Sequence, residues 1–137
     1  MSVFTEGEIA YLNSQKLGRV ATIDRKGELH VVPVSFRYNA ETDTVDIGGY
    51  NIGRSKKFRD VAATGRIAFV VDDILPPSQP RGVEVRGRAE TLISGSETVD
   101  ENAHAALIRI TPTRIIGWGI DTSGTARNFQ PNSRNVT

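Results

Sequence analysis

A chain of 137 residues carrying a formal charge of +1 is of single-domain size, and its near balance of 17 basic and 16 acidic residues gives no general attraction to nucleic acid or membranes. It has no cysteine, which excludes thiol nucleophiles, disulfides and cysteine-ligated metals. No apolar run nears the ~20 residues of a membrane span, and the start MSVFTEGEIAYL lacks the basic and apolar regions of a signal peptide, so a cytoplasmic location is expected.

The first expected element is a helix. Thr5 and Glu8 form a T-x-x-E capping box, Phe4 and Ile9 are spaced as a hydrophobic staple, and Ile9 and Leu12 give an apolar face. Gly18 to Ile23 alternates and reads as a strand, Asp24 to Gly27 as a turn, and Glu28 to Tyr38 as the returning strand, rich in β-branched and aromatic residues. Pro33 in its middle cannot donate to a ladder, so it predicts an edge, a bulge or a backbone that faces a ligand. A turn over Asn39 to Asp43 leads to a third strand, Thr44 to Gly48.

A short helix follows over Ser55 to Ala63, with Phe58, Val61 and Ala62 on one face and Gly65 as a C-terminal cap. The run Ile67 to Val71 is continuously apolar and predicts a strand buried on both sides. Ile74 to Gly82 holds three prolines and reads as a loop, and Val83 to Leu92 alternates as a strand. Ile93 to Asn102 reads as a polar loop. Two further strands are expected at Leu107–Ile110 and Thr113–Ile120, separated by Pro112, followed by a polar tail from Asp121. Short strands between turns, with two short helices and no alternation of strand and helix, predict a mostly antiparallel β-barrel. The domain is expected to span residues 1–121 and the tail residues 122–137.

The chemistry concentrates at the start of the second helix. Gly48, Gly49 and Gly53 loosen the loop before it, Ser55 is a good N-cap, and Arg54, Lys56 and Lys57 crowd its first turn. A helix N-terminus already carries partial positive charge, so each cation there costs roughly 0.3–1 kcal/mol. Free backbone N–H groups, the dipole and lysines together suit a phosphate; the plain alternative is a solvated basic turn. The spacing Gly48-x-x-x-x-Gly53-Arg54-Ser55 approaches a P-loop, but Arg54 stands where the lysine belongs and the surroundings are antiparallel, so nucleotide hydrolysis is rejected. His30 and His104 are the two histidines, neither bracketed in sequence by carboxylates at metal-binding spacing, and no metal site is expected. Asp72-Asp73 and Asp100-Glu101 read as carboxylate pairs facing water. Trp118 stands between Gly117 and Gly119, which let a backbone or a flat ring come close; a core or interface aromatic is the other reading. No set of catalytic side chains is visible, so an enzyme of this kind would borrow its chemistry from a cofactor.

The segments HVVPVSF, GRSKKFRD, GRIAFVVDD and RGVEVRGRAE together resemble the pyridoxamine-5′-phosphate-oxidase-like superfamily of split β-barrel flavin and deazaflavin oxidoreductases. The closing IRITPTRIIGWGID is similar to an actinobacterial branch that depends on the deazaflavin coenzyme F420 and includes tetracycline-pathway reductases. The resemblance implies an FMN-binding-like split β-barrel and a homodimer with two cofactor sites at the subunit interface. It places Ser55, Lys56 and Lys57 at the cofactor phosphate and Tyr50 and Asn51 beside the ribityl chain. Val32, Pro33 and Val34 would lie along the flat ring, and Trp118 would approach from the late segment, in the same or the other subunit. A groove with Arg54, Lys56, Lys57 and Arg59 would suit the acidic oligoglutamate tail of F420. Arg127 and Asn128 could reach a neighbouring site. The polar tail replaces the arginine and tryptophan signatures of the oxidases that act on pyridoxamine phosphate. The implied reaction is hydride transfer to an electron-poor C=C of an enone or quinone-like substrate, with water or a bound hydroxyl supplying the proton. Use of FMN in place of F420, and a non-catalytic carrier or sensor of deazaflavin or a tetrapyrrole, are the competing expectations.

Overall fold

Alternation of apolar and polar residues builds most of the sheet. The computed structural model of the chain describes residues 1–49, 51–93, 106–120 and 130–137. In β1 (Leu17–Ile23) Gly18, Val20 and Thr22 point inward, and in β5 (Arg66–Leu75) Ile67, Phe69 and Val71 do the same. The even members of the IAFVV run, Ala68 and Val70, are only half-buried, so β5 has one core face and one outer face rather than two buried ones. The other strands are β2 (Leu29–Ser35), β3 (Arg37–Asn39), β4 (Thr44–Ile47), β6 (Gln79–Ile93), β7 (Ala106–Trp118) and β8 (Asn132–Asn135). Every pairing among them is antiparallel, in the order β2-β1-β5-β6-β7-β4-β3, with β8 added to β7.

The two edges of that order are consecutive in the chain. The single strand expected over Glu28 to Tyr38 breaks at Phe36, and its halves lie at opposite edges of the sheet. The sheet therefore curls round on itself into a split barrel. Phe36 sits at the junction, half-buried against the core, with its ring 5.0 Å from that of Phe69, edge to face. β-branched residues such as Val83, Val85, Ile108, Ile110 and Ile115 fill the interior.

Proline content misleads at two places. Ile74 to Gly82 is not a loop: β5 runs to Leu75, β6 starts at Gln79, and Pro80 pairs opposite Ile74 in a long hairpin. Pro112 does not separate two strands. It lies within β7 opposite Gly87, where the register shifts by one residue, so a bulge accommodates the missing donor. The stretch read as a polar tail also ends in β8, held on β7 by a four-residue ladder.

Two helices flank the barrel. The helix α1 (Glu6–Ser14) begins with the expected capping box: Glu8 N donates to Thr5 Oγ1 at 3.1 Å and Thr5 N to Glu8 Oε1 at 2.9 Å. Tyr11 and Leu12 are buried under it. The helix α2 (Lys56–Thr64) packs on β1 and β6 and ends as predicted at Gly65, whose φ of 67° is left-handed. Its buried face is Phe58, Asp60 and Val61, whereas Ala62, expected on that face, is exposed. No helix among the described residues is long and apolar enough to cross a membrane.

Candidate functional site: the start of α2 beside the free edge of β2

After β4 the chain leaves the sheet through Gly48 and Gly49. A Cβ built at either would meet no atom within 4 Å, so this loop opens to solvent. Asn51 is left-handed at φ 57°, and one 3-10 turn over Ile52–Arg54 is pinned by buried Ile52. Ser55 then caps α2: its hydroxyl accepts from Phe58 N at 3.3 Å and donates to Ile52 O at 2.6 Å. Arg59 N bonds Ser55 O at 3.2 Å. The backbone N–H groups of Lys56 and Lys57 have no partner among the described residues. They are the donors an anion would use.

The two lysines behave differently. Lys57 is half-buried and makes no ion pair among the described residues. Lys56 is already engaged: its Nζ lies 3.0 Å from Asp60 Oδ1 and 3.5 Å from Asp24 Oδ2. Asp60 is 2% exposed and also accepts from Thr22 Oγ1 at 2.8 Å. Burial pushes its carboxyl up, but the Lys56 and Thr22 hydrogen bonds and the Lys56 charge outweigh that and hold it below the ordinary range. The Asp60 hydrogen bond in turn raises Lys56. Asp24, in the β1–β2 turn, is lowered by the Glu28 N–H first, with Lys26 N–H and the Lys56 charge adding to it.

His30, on β2, completes this group. Its Nε2 is 4.0 Å from both Asp24 Oδ2 and Asp60 Oδ2, is itself buried, and has no hydrogen-bond partner among the described residues. The fold thus brackets His30 with two carboxylates, which the linear sequence did not reveal. One ligand-type atom from each of Asp24, His30 and Asp60 lies within 4.8 Å of the others. The Lys56 ammonium is the cation that compensates the two acids.

Among the described residues β2 is an edge strand that pairs only with β1. This is why Pro33, opposite Arg19, is tolerated: its missing donor costs no ladder bond on the open side. Val32 and Pro33 are exposed, while Val34 points into the core. Beyond the end of β2, a cavity of about 310 Å³ is lined by Ser35, Phe36, Arg37, Asp46, Gly48, Gly49 and Leu107. Asp46 in its wall is held ionised despite its burial, because Arg109 grips it with two bonds of 3.0 Å and Asn39 and Thr44 also donate to it.

The residues singled out in the sequence are therefore only partly gathered. Ser55, Lys56 and Lys57 stand at one helix start, and His30 of β2 lies 4.0 Å from Asp60, the partner of Lys56. Arg54 is exposed, and its carbonyl accepts from Arg59 Nη1 at 3.1 Å, so that arginine is directed back onto the loop. Trp118 is not at this place within one chain. It pairs with Gly82, and a Cβ on that glycine would collide with its indole ring. Thr22, which holds Asp60, is level through Ile67 with Gly87, several residues further along β6. Tyr50, His104, Asp100, Glu101, Arg127 and Asn128 lie outside the described residues. Asp73, expected to face water, instead receives Arg81 in two bonds of 2.7 and 2.9 Å and the Tyr11 hydroxyl at 2.8 Å. Sequence reading missed Asp60, Thr22 and Asp24. The available signal was an acid four residues after Lys56 on an otherwise apolar helix face.

Comparison with known proteins bears on the same region. The family described as pyridoxamine 5′-phosphate oxidase matches residues 5–119. A 5a,11a-dehydrotetracycline/5a,11a-dehydrooxytetracycline reductase of Streptomyces rimosus subsp. rimosus is 45% identical over 120 residues, covering 86% of this chain and 84% of that protein. Among solved structures, an FAD binding protein from Mycobacterium smegmatis superposes with a TM-score of 0.61 at 23% identity, covering 85% of this chain and 96% of that one. General Stress Protein 26 from Bacillus anthracis gives 0.68 at 18% identity, covering 96% and 97%. At these identities the structural matches speak for the shared split barrel. With the family match spanning both helices and seven of the eight strands, the chain belongs to the pyridoxamine 5′-phosphate oxidase family.

Proposed function

We propose that the protein is a reductase that holds a flavin-type cofactor by its ribityl phosphate at the start of α2, with coenzyme F420 as the cofactor. The substrate class is an electron-poor C=C of an enone or quinone-like compound, of tetracycline type. The observation that carries this reading is local: two backbone N–H groups and a lysine, Lys57, none of them with a partner among the described residues, stand at a capped helix start beside an open strand edge. A phosphate supplies the charge this arrangement lacks. The 45% identity to a dehydrotetracycline reductase supports the choice of reaction.

The chain's own groups have separable tasks. The N–H groups of Lys56 and Lys57, with the Lys57 ammonium, bind the anion. β2 offers the unpaired backbone groups of an edge strand to a flat ring, with Val32 and Pro33 exposed along it. Phe36 and Leu107 give the adjoining cavity apolar walls that exclude water. A bound, reduced deazaflavin supplies the hydride; the protein supplies orientation and a dry surface.

A cytoplasmic homodimer with cofactor sites at its interface belongs to the same proposal. The outer face of β2, β1 and β5 carries Leu29 at 74% and Val31 at 70% exposure beside Ala21, Ala68 and Val70. Charges of both signs rim it (Arg19, Asp72, Arg66 and Glu84), a mixture that supports pairing with a second copy of the same face. A partner also provides a route for a second Trp118 to reach a site that one chain's own Trp118 does not.

The test is titration of the purified protein with F420 and with FMN, followed by anaerobic assay of the reduced cofactors with 5a,11a-dehydrotetracycline and simpler enones. Saturable F420 binding and oxidation of reduced F420 only when the enone is added are expected. Tight FMN binding with turnover from FMN alone overturns the cofactor assignment. Binding without turnover of any enone favours a carrier.

A further inference from the structure

The pair Lys56–Asp60 is built against the ordinary rules of helix stability. On an exposed helix the favourable order places the acid first and the lysine four residues later, with the dipole. Here the lysine occupies the first helical position, where a cation is disfavoured, and the acid is buried at position 60. Burying a carboxylate is costly unless it is paired, and an apolar residue of similar size would fill the same place on this core-facing side without that cost. Asp60 nevertheless sits there with both oxygens hydrogen-bonded, Thr22 on one and Lys56 on the other. Asp24 reaches the same ammonium from the β1–β2 turn. A lysine ammonium has three donors. One bonds Asp60 and Asp24 lies 3.5 Å away, so at least one donor remains on a residue that opens α2, where the Lys56 and Lys57 N–H groups have no partner among the described residues.

We propose that Asp60 is a positioning residue: anchored by Thr22 and helped by Asp24, it fixes the Lys56 ammonium at the helix start so that its remaining donor meets a cofactor phosphate. This rests on the phosphate-binding reading above. It assigns the direct role to Lys57 and the N–H groups, and to Lys56 a held, shared role that its two carboxylates define.

The sign of one substitution separates this from a merely electrostatic or structural pair. By charge alone, Asp60→Asn removes an acid beside an anion site and tightens binding. By positioning, it frees Lys56 and weakens binding. Affinity for F420 is measured on wild type, Asp60→Asn, Lys56→Met and the double variant, with melting of each without ligand. The expected result is a loss of about tenfold for Asp60→Asn, near the lower end for one charge-assisted hydrogen bond. The double variant should bind no worse than Lys56→Met alone, because Asp60 acts through that lysine. Thr22→Val, which changes no charge, should reproduce part of the loss and covers the case in which Asp60→Asn fails to fold. Tighter or unchanged binding in Asp60→Asn or Thr22→Val, or losses that add in the double variant, overturn the proposal while leaving the function standing. Failure of wild type to bind F420 or FMN at all removes both.

Discussion

Two helices of nine residues each start in opposite ways. At α1 the first turn holds Glu6 and Glu8, Thr5 and Glu8 cap each other reciprocally, and the charge agrees with the helix dipole. Glu8 is wholly buried and gripped through both oxygens by Arg134 of β8. At α2 the first turn is Lys56-Lys57, one N–H is capped by Ser55, and two N–H groups have no partner among the described residues. The first start is closed by the protein itself and serves stability. The second is left open at a cost, and an open, positively biased helix start is what an anion completes. On the proposed reading the same local structure serves opposite purposes, and the difference lies in two or three side chains at each N-terminus.

Substitutions at the two starts should separate these roles. Glu8→Ala removes half of a capping box and leaves Arg134 without its buried acid, so we expect a stability loss of about 3 kcal/mol by denaturant unfolding. Lys56→Met strands the buried Asp60 carboxylate, with only Thr22 left to bond it. Its Tm should fall, by less than for Glu8→Ala, even though a disfavoured cation has left the helix start. A rise in Tm would mean that Asp60 does not need Lys56. Ser55→Ala should cost about 1 kcal/mol, through the lost cap together with the lost bond to Ile52 O.

The smallest effect is the pH dependence. Asp46 and Asp60 both have folded values below the ordinary carboxylate value. A carboxyl lowered on folding contributes stability above its unfolded value of about 4, and that contribution is lost as pH falls through the folded value. Thermal melts should therefore be flat between pH 5 and 7 by these groups and drop below about pH 4. Asp46→Asn should begin lower and drop less in acid.

Much of the frame was legible because it is local. The T-x-x-E box, the Ser55 cap, Gly65 as the end of α2 and the alternation of Val83 to Leu92 each depend on neighbouring residues. The barrel's extensions were not, because their reasons are remote. Pro80 is acceptable only because Ile74 pairs opposite it, and Pro112 only because β6 and β7 shift register there. The polar strand β8 is tied down by Arg134 reaching Glu8, at the other end of the chain. At the site, the residue types at the helix start suggested an anion. The cluster that holds Lys56 comes from β1, the β1–β2 turn, β2 and α2, so no single window of sequence contains it. Helical periodicity counts apolar residues, and it chose Ala62 where the fold buries Asp60.

The most direct test of the open helix start is Lys57→Met, assayed twice: for F420 affinity and for melting without ligand. Binding about 10- to 100-fold weaker is expected, from one lost charge-assisted contact, with an unliganded Tm equal to wild type or slightly higher, since a cation has left the positive end of the helix. An unchanged affinity together with a lower Tm would contradict it, and would make the basic start of α2 a structural feature like the acidic start of α1.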